Sequence, residues 1–190
     1  MNKQHHILTV GISLLTNFQK SKQVDLAYTL RHSEQIVAFL RENPTAHCAE
    51  INSLEARTGF LSKPNCQLSV SLIYSQSTAG RLASKLIGKF LAAMKVRVTE
   101  IKLANFDLPG SAAADPEVAQ KLAEDGLADL RQKVARHITH LQTQDPKLSI
   151  HLNCTGGYKA ECAVLYELGR TLRLPVYYLH ETFKVAVELP

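Results

Sequence analysis

Residues 153–159, NCTGGYK, constrain the fold of this chain more than any other stretch. They follow residues 148–152, LSIHL, whose apolar pattern reads as a buried strand. They lead into residues 160–172, where Ala163, Val164, Leu168 and Leu172 recur at helical spacing. The local prediction is therefore strand, glycine turn, helix. Adjacent Gly156 and Gly157 let the main chain turn sharply and admit a ligand close to the backbone. The unpaired N–H groups opening the next helix carry partial positive charge, which suits a phosphate, and Lys159 adds a mobile cation. The same turn also serves as an ordinary strand-to-helix connection with a solvated lysine. Neither the GxxxxGK[ST] nor the GxGxxG spacing is present.

The 190 residues, 45% apolar and 21% charged, suit one domain, residues 1–190, with a substantial core. No apolar run approaches the length of a membrane span, and residues 1–6 lack the order of a signal peptide, so a cytoplasmic protein away from membranes is expected. Cys48, Cys66, Cys154 and Cys162 form no CxxC pair, which fits free thiols better than disulfides or a zinc site. The net charge of +5 is mild and the basic residues are dispersed, favouring a local anion site over a long nucleic-acid track.

Residues 7–13, ILTVGIS, read as a central strand buried on both faces, with Ser13, Thr16 and Asn17 offering polar groups at its carboxyl end. Those residue types equally serve capping and turns. Ser33 opens a helix that ends before Pro44, and a second runs from Thr45 to Gly59 with Glu50, Asn52 and Ser53 on its wet face. Residues 68–74 form the next strand, followed by a polar connection through Gln76 and Arg81 into a helix along Leu82, Leu86, Phe90 and Met94. Residues 96–103 read as a third core strand, leading to a loop with Asp107, Pro109 and Gly110. Asp115 and Pro116 start an amphipathic helix to about Gln142 that Gly126 bends or divides. His137 and His140 on it are expected at the surface and not on a metal. Residues 175–180 and 184–189, with a short joint at 181–183, predict an antiparallel hairpin at the sheet edge. The resulting order predicts an α/β fold: a doubly wound, Rossmann-like, mostly parallel six-stranded sheet with a C-terminal antiparallel hairpin.

Three stretches together resemble one family. TVGISLLTN at 9–17, AEINSL at 49–54 and NCTGGYK at 153–159, followed by PVYYLHE at 175–181, are similar to the CARF (CRISPR-associated Rossmann fold) domains of type III CRISPR systems, above all to the stand-alone ring nucleases. The resemblance implies a homodimer that holds a cyclic oligoadenylate, usually cyclic tetra-adenylate, across its two-fold axis. It implies metal-independent and cofactor-independent cleavage, with the ligand's own ribose 2′-hydroxyl attacking the adjacent phosphate. Linear di-adenylates ending in a 2′,3′-cyclic phosphate would result, switching off the antiviral signal.

Such chemistry requires in-line positioning and a fixed cation near the phosphate. By the resemblance, Lys159 is the catalytic cation and Ser13 orients the 2′-hydroxyl or the phosphate. Gly156 and Gly157 would bring main-chain donors, and Gly11, Ile12, Leu14, Thr16, Asn17, Asn153, Thr155 and Tyr158 complete the expected ligand site. Gln76 and Arg81 are candidates for contacting adenine or phosphate from the neighbouring strand end. Tyr158 stands where the family often has Phe, and Ile12 where it often has Thr. No general base is obvious in these motifs, which predicts a slow enzyme whose rate comes from positioning.

A binding-only sensor of the same ligand, acting through a fused or partner effector, is the first alternative. A dinucleotide-cofactor protein is disfavoured because Gly11 stands alone after the first strand. A DNA-binding regulator lacks a recognisable recognition-helix module.

Overall fold

The computed structural model describes residues 3–63, 67–104, 115–180 and 182–190. The loop read around Asp107, Pro109 and Gly110 lies outside the described residues, as do Cys66 and Glu181.

Strand β1 (Gln4–Thr9) occupies the middle of the sheet, parallel to β2 (Leu68–Ser75) on one side and β4 (Ser149–Asn153) on the other. Successive side chains of β1 point to opposite faces. Ile7 accordingly enters one apolar core and Leu8 the other. Beyond β2 lies β3 (Arg97–Leu103), and beyond β4 lie β5 (Val176–His180) and β6 (Val185–Leu189). The order is β3-β2-β1-β4-β5-β6, parallel except for the antiparallel β5–β6 pair, in which Val176 faces Leu189. This is the doubly wound sheet with terminal hairpin that the apolar runs predicted.

Helices cover both faces. Helix α1 (Ser13–Lys22), α2 (Leu26–Arg31), α3 (Ser33–Glu42), α4 (Pro44–His47) and α5 (Ala49–Thr58) precede β2, and α6 (Thr78–Ala93) follows it. Buried Leu15, Phe18, Ile36, Leu40, Ile51, Leu54, Leu86 and Ile87 from these helices pack with Leu8 and Leu72. On the opposite face α7 (Pro116–Gln144) and α8 (Lys159–Leu172) bury Leu130, Val134, Ile138 and Leu165 against Ile7, Ile73 and Leu152. Among the described residues, no helix is long and apolar enough to cross a membrane.

Several expectations are corrected. The first strand ends at Thr9, and residues 13–22 form α1, because Leu14, Leu15 and Phe18 are fully buried at helical spacing. His5 and His6 instead belong to the strand. The helix read from Thr45 to Gly59 is two pieces, broken where Cys48 is extended at φ −138° and ψ 117°. Its supposed wet face is wrong at Glu50 and Ser53, which are 1% and 0% exposed. Strand β3 is an exposed edge rather than a core strand, with Arg97, Thr99, Glu100 and Lys102 outward. Helix α7 runs unbroken for 29 residues, Gly126 being buried inside it. His137 is half-buried, bonded at 2.7 Å to Ser71 Oγ, while His140 is exposed.

Candidate functional site

The tips of β1 and β4 lie side by side, with Leu8 opposite Asn153. Thr9 Oγ1 ties them by donating to the Gly156 carbonyl at 2.5 Å. Because connections leave β1 and β4 toward opposite faces, a crevice opens between their ends. The Gly156–Gly157 turn fills its floor, and neither glycine tolerates a side chain there. A Cβ on Gly156 would lie 2.7 Å from the Thr9 carbonyl oxygen and overlap the Glu50 carboxyl. Gly157 has φ +82°, a left-handed conformation that costs little only for glycine.

Glu50, the second residue of α5, supports this turn from beneath. Its Oε1 accepts the Gly11 N–H at 2.8 Å, and its Oε2 accepts Ser13 Oγ and Cys48 Sγ, each at 3.2 Å. A second buried chain runs through Asn153, whose Nδ2 donates to Ser53 Oγ at 2.7 Å and to the Tyr177 hydroxyl at 3.2 Å. Its Oδ1 accepts the Thr155 N–H at 3.0 Å, and Thr155 Oγ1 accepts the Leu179 N–H at 2.9 Å. At the start of α8 the Glu161 carboxyl accepts the Tyr158 N–H at 2.8 Å. Burial raises that carboxyl to a pKa of about 7, against the lowering effect of this N–H.

Two cavities adjoin the turn. The larger, about 790 Å³, is walled by Asn17 of α1, Asn52 of α5, Thr155, Gly157 and Lys159 at the β4–α8 turn, and His180 and Lys184 of the hairpin. Among the described residues lining it there are lysines and a histidine but no Asp or Glu, so the field favours an anion. Its volume falls within the roughly 300–1,000 Å³ typical of ligand clefts. The smaller groove, about 120 Å³, holds Gly11, Ile12, Ser77, Tyr158 and Glu161, and Gly157 borders both.

The structure thus brings Lys159, Asn17, Thr155 and Gly157 to one cleft, and Gly11, Ile12 and Tyr158 to the adjoining groove. Lys159 is exposed at the first position of α8. Asn17 faces the cleft while its Nδ2 donates to the His47 carbonyl at 3.1 Å. Other candidates occupy the frame. Leu14 is 0% exposed, so its side chain serves the core and not a ligand. Asn153 is buried beneath the turn, and Thr16 Oγ1 donates to the Ile12 carbonyl at 2.8 Å. Ser13 Oγ, besides its bond to Glu50, accepts the Ala49 N–H at 3.2 Å. Gln76 and Arg81 follow β2 and line neither of the two cavities.

Sequence reasoning missed Glu50, His180 and Lys184. His180 ends β5, where its ring stacks on Phe183 at 4.3 Å and its Nδ1 accepts the Phe183 N–H at 3.4 Å. That contact leaves the proton of the neutral ring on Nε2. The available signal was position, since His180 ends a parallel strand next to the switch point.

A doubly wound α/β protein with a cationic cleft at its topological switch point is the class that fold and site define. Residues 45–190 match the family described as CRISPR-associated protein (Cas_APE2256), and the chain belongs to that family. No curated protein matches the sequence. The fold is that of Can2 from Sulfobacillus thermosulfidooxidans in complex with cyclic tetra-adenylate, at TM-score 0.51 and 12% identity over 98% of this chain and 34% of that one. It is likewise that of Enterococcus italicus Csm6 bound to cyclic hexa-2′-fluoro-hexa-dAMP, at TM-score 0.55 and 8% identity, covering 98% and 36%. Protein VC1899 from Vibrio cholerae shares it at TM-score 0.54 and 8% identity, covering 98% and 33%. The architecture is thus the CARF fold. The chain spans about a third of the length of each of these neighbours.

Proposed function

We propose that this protein is a ring nuclease: a homodimer that binds a cyclic oligoadenylate, most simply cyclic tetra-adenylate, and cleaves it without a metal. The observation that carries the reading is the cationic lining of the switch-point cleft, which among the described residues holds no carboxylate, with Lys159 beside the double-glycine turn. The Can2 fold neighbour in complex with cyclic tetra-adenylate supports this choice of ligand. Ile12 and Tyr158, 48% and 61% exposed beside the same turn, give a second copy an apolar surface to cover.

In the reaction, the ribose 2′-oxygen forms a bond to the adjacent phosphorus while the bond from phosphorus to the 5′-oxygen breaks. The 2′-hydroxyl proton leaves to solvent or a nearby base, and the departing 5′-oxygen takes one up. Lys159, at the positive end of α8, stabilises the charge gathering on the phosphate oxygens. His180, whose Nδ1 accepts the Phe183 N–H, lines the same wall and can offer its Nε2–H as a hydrogen bond to a phosphate oxygen. The 3.2 Å bond that Ser13 Oγ donates to Glu50 is longer than the 2.7–2.8 Å typical of hydroxyl donors. Exchanging its Glu50 contact for the 2′-hydroxyl therefore sacrifices little.

A binding-only sensor is the second reading, favoured by the commitment of Asn153, Thr155 and Ser13 to internal bonds. Incubating the purified protein with cyclic tetra-adenylate in EDTA and following products by chromatography separates the two. Linear di-adenylate with a 2′,3′-cyclic phosphate is expected. Tight binding with an intact ring would establish the sensor instead.

A further inference from the structure

The double-glycine turn is flanked by two half-buried cysteines. Cys154 leaves β4 just before the turn, and Cys162 lies in the first turns of α8 just after it. Cys162 Sγ donates to the Cys154 carbonyl at 3.3 Å and to the Gly156 carbonyl at 3.5 Å, while Cys154 Sγ reaches the Cys162 carbonyl at 3.5 Å. Each thiol thus contacts the other residue's main chain across the turn. Both line the wall of the larger cleft, next to Lys159 and Gly157, so a small solute can reach them. Cys48, by contrast, is fully buried.

We propose that Cys154 and Cys162 are a redox-active thiol pair, converted by a hydroperoxide into a disulfide that stiffens the turn and weakens ligand binding in the cleft. The two positions differ chemically. The hydrogen bond with the Cys154 thiol lowers the Cys162 pKa, against burial and the Glu161 carboxyl, and Cys162 also sits near the positive end of α8, whereas the Cys154 thiol is pushed up by that same contact and by burial. Cys162 is therefore the attacking sulfur and Cys154 the resolving one.

The balance closes with the peroxide alone. The Cys162 thiolate attacks one peroxide oxygen, the O–O bond breaks, and hydroxide leaves, giving a sulfenic acid. The Cys154 thiol then attacks that sulfur, forming the S–S bond and releasing water. Two thiols are oxidised by two electrons and one hydrogen peroxide becomes two waters. In the disulfide both sulfurs lose their protons, so the contacts to the Cys154, Cys162 and Gly156 carbonyls are surrendered and the turn must adjust.

The thiol pair is independent of the ligand's identity, while its effect on binding rests on the proposed function. The test treats the full chain with hydrogen peroxide, blocks remaining thiols with N-ethylmaleimide and digests with trypsin. Cleavage after Lys159 separates the two cysteines, so a disulfide holds two peptides together. Linked peptides that part on adding dithiothreitol are expected, and Cys154→Ser or Cys162→Ser should abolish them. Both cysteines remaining alkylated, Cys162 passing to sulfinic acid unlinked, or linkage only to Cys48 or Cys66 would overturn the pair. In the second arm, oxidised protein should bind cyclic tetra-adenylate at least tenfold more weakly, with dithiothreitol restoring affinity. Equal binding by linked and reduced protein overturns the regulatory effect. Reduced protein that binds no cyclic tetra-adenylate rejects the effect together with the ligand assignment, while the peptide linkage still decides the thiol chemistry by itself.

Discussion

Glu50 on α5 accepts the main-chain N–H of Gly11 at 2.8 Å, joining a helix that precedes β2 to the tip of the central strand. The same carboxyl holds Ser13 and Cys48 and packs under Gly156, so it fixes how the β1 and β4 tips meet. Glu50→Ala leaves the Gly11 donor unpaired in a tight site, at a cost of about 3 kcal/mol. Glu50→Gln keeps an acceptor for Gly11 and can donate to Ser13 Oγ, costing about 1 kcal/mol. Urea unfolding of both variants measures this. If Glu50→Ala unfolds at the wild-type midpoint, the carboxyl does not support the turn.

Why Glu50 was not legible follows from its partners. Its principal bond is to a main-chain N–H 39 residues away, and no side-chain pattern records such a contact. Amphipathic spacing alone placed Glu50 and Ser53 in water, yet the polar ends of β1 and β4 needed both. The sheet was legible because parallel strands buried on both faces appear as continuous apolar runs, and the hairpin because its joint is short. Helix α1 was hidden because Ser13, Thr16 and Asn17 looked like ligand donors, although Leu14, Leu15 and Phe18 already carried the helical period. Lys159 was legible since glycine turn and helix start adjoin it in sequence, whereas His180 reaches the cleft only through strand pairing.

The turn glycines give a second prediction. In Gly157→Ala the added methyl must sit at φ +82° and 2.8 Å from Thr9 Cβ. Left-handed strain of roughly 1 kcal/mol adds to this overlap, so the variant should lose about 2–3 kcal/mol and most ligand affinity. Thermal unfolding and a cyclic tetra-adenylate titration check both. Wild-type stability and affinity together would show that the turn is not tightly packed.

The sheet carries histidines that stay neutral on folding. His5 lies between Ser69 Oγ at 2.8 Å and Ser71 Oγ at 2.9 Å, and burial, aided by His137 and Arg97, lowers its pKa to about 3. Its folded pKa is below the unfolded value of 6.5, so the unfolded chain binds more protons between these limits. Stability is full above pH 6.5 and declines as pH falls toward 3, by about 1.4 kcal/mol per pH unit for this group. Glu161, raised to about 7, acts oppositely and loses stability as pH rises from 4.5 to 7. Comparing wild type with His5→Gln cancels that contribution. Between pH 6.5 and 5 the variant should lose about 2 kcal/mol less than wild type in denaturant unfolding. Parallel pH curves would mean that folding leaves the His5 pKa unchanged.

The cleft residues separate positioning from chemistry. Lys159 is exposed on the cleft wall at the start of α8, so Lys159→Ala should leave unfolding unchanged and reduce single-turnover cleavage of cyclic tetra-adenylate about 100-fold. Ser13→Ala should lose about tenfold in rate and about 1 kcal/mol in stability, because its hydroxyl also joins α1 to α5. His180→Ala removes the ring donor from the wall. If the His180 Nε2–H stabilises charge that gathers on the phosphate only during the reaction, this variant binds normally and cleaves at least tenfold more slowly. If it only positions the bound phosphate, affinity falls instead. A Lys159→Ala protein with undiminished cleavage would remove the helix-borne cation from the mechanism and leave the cleft as a binding site alone.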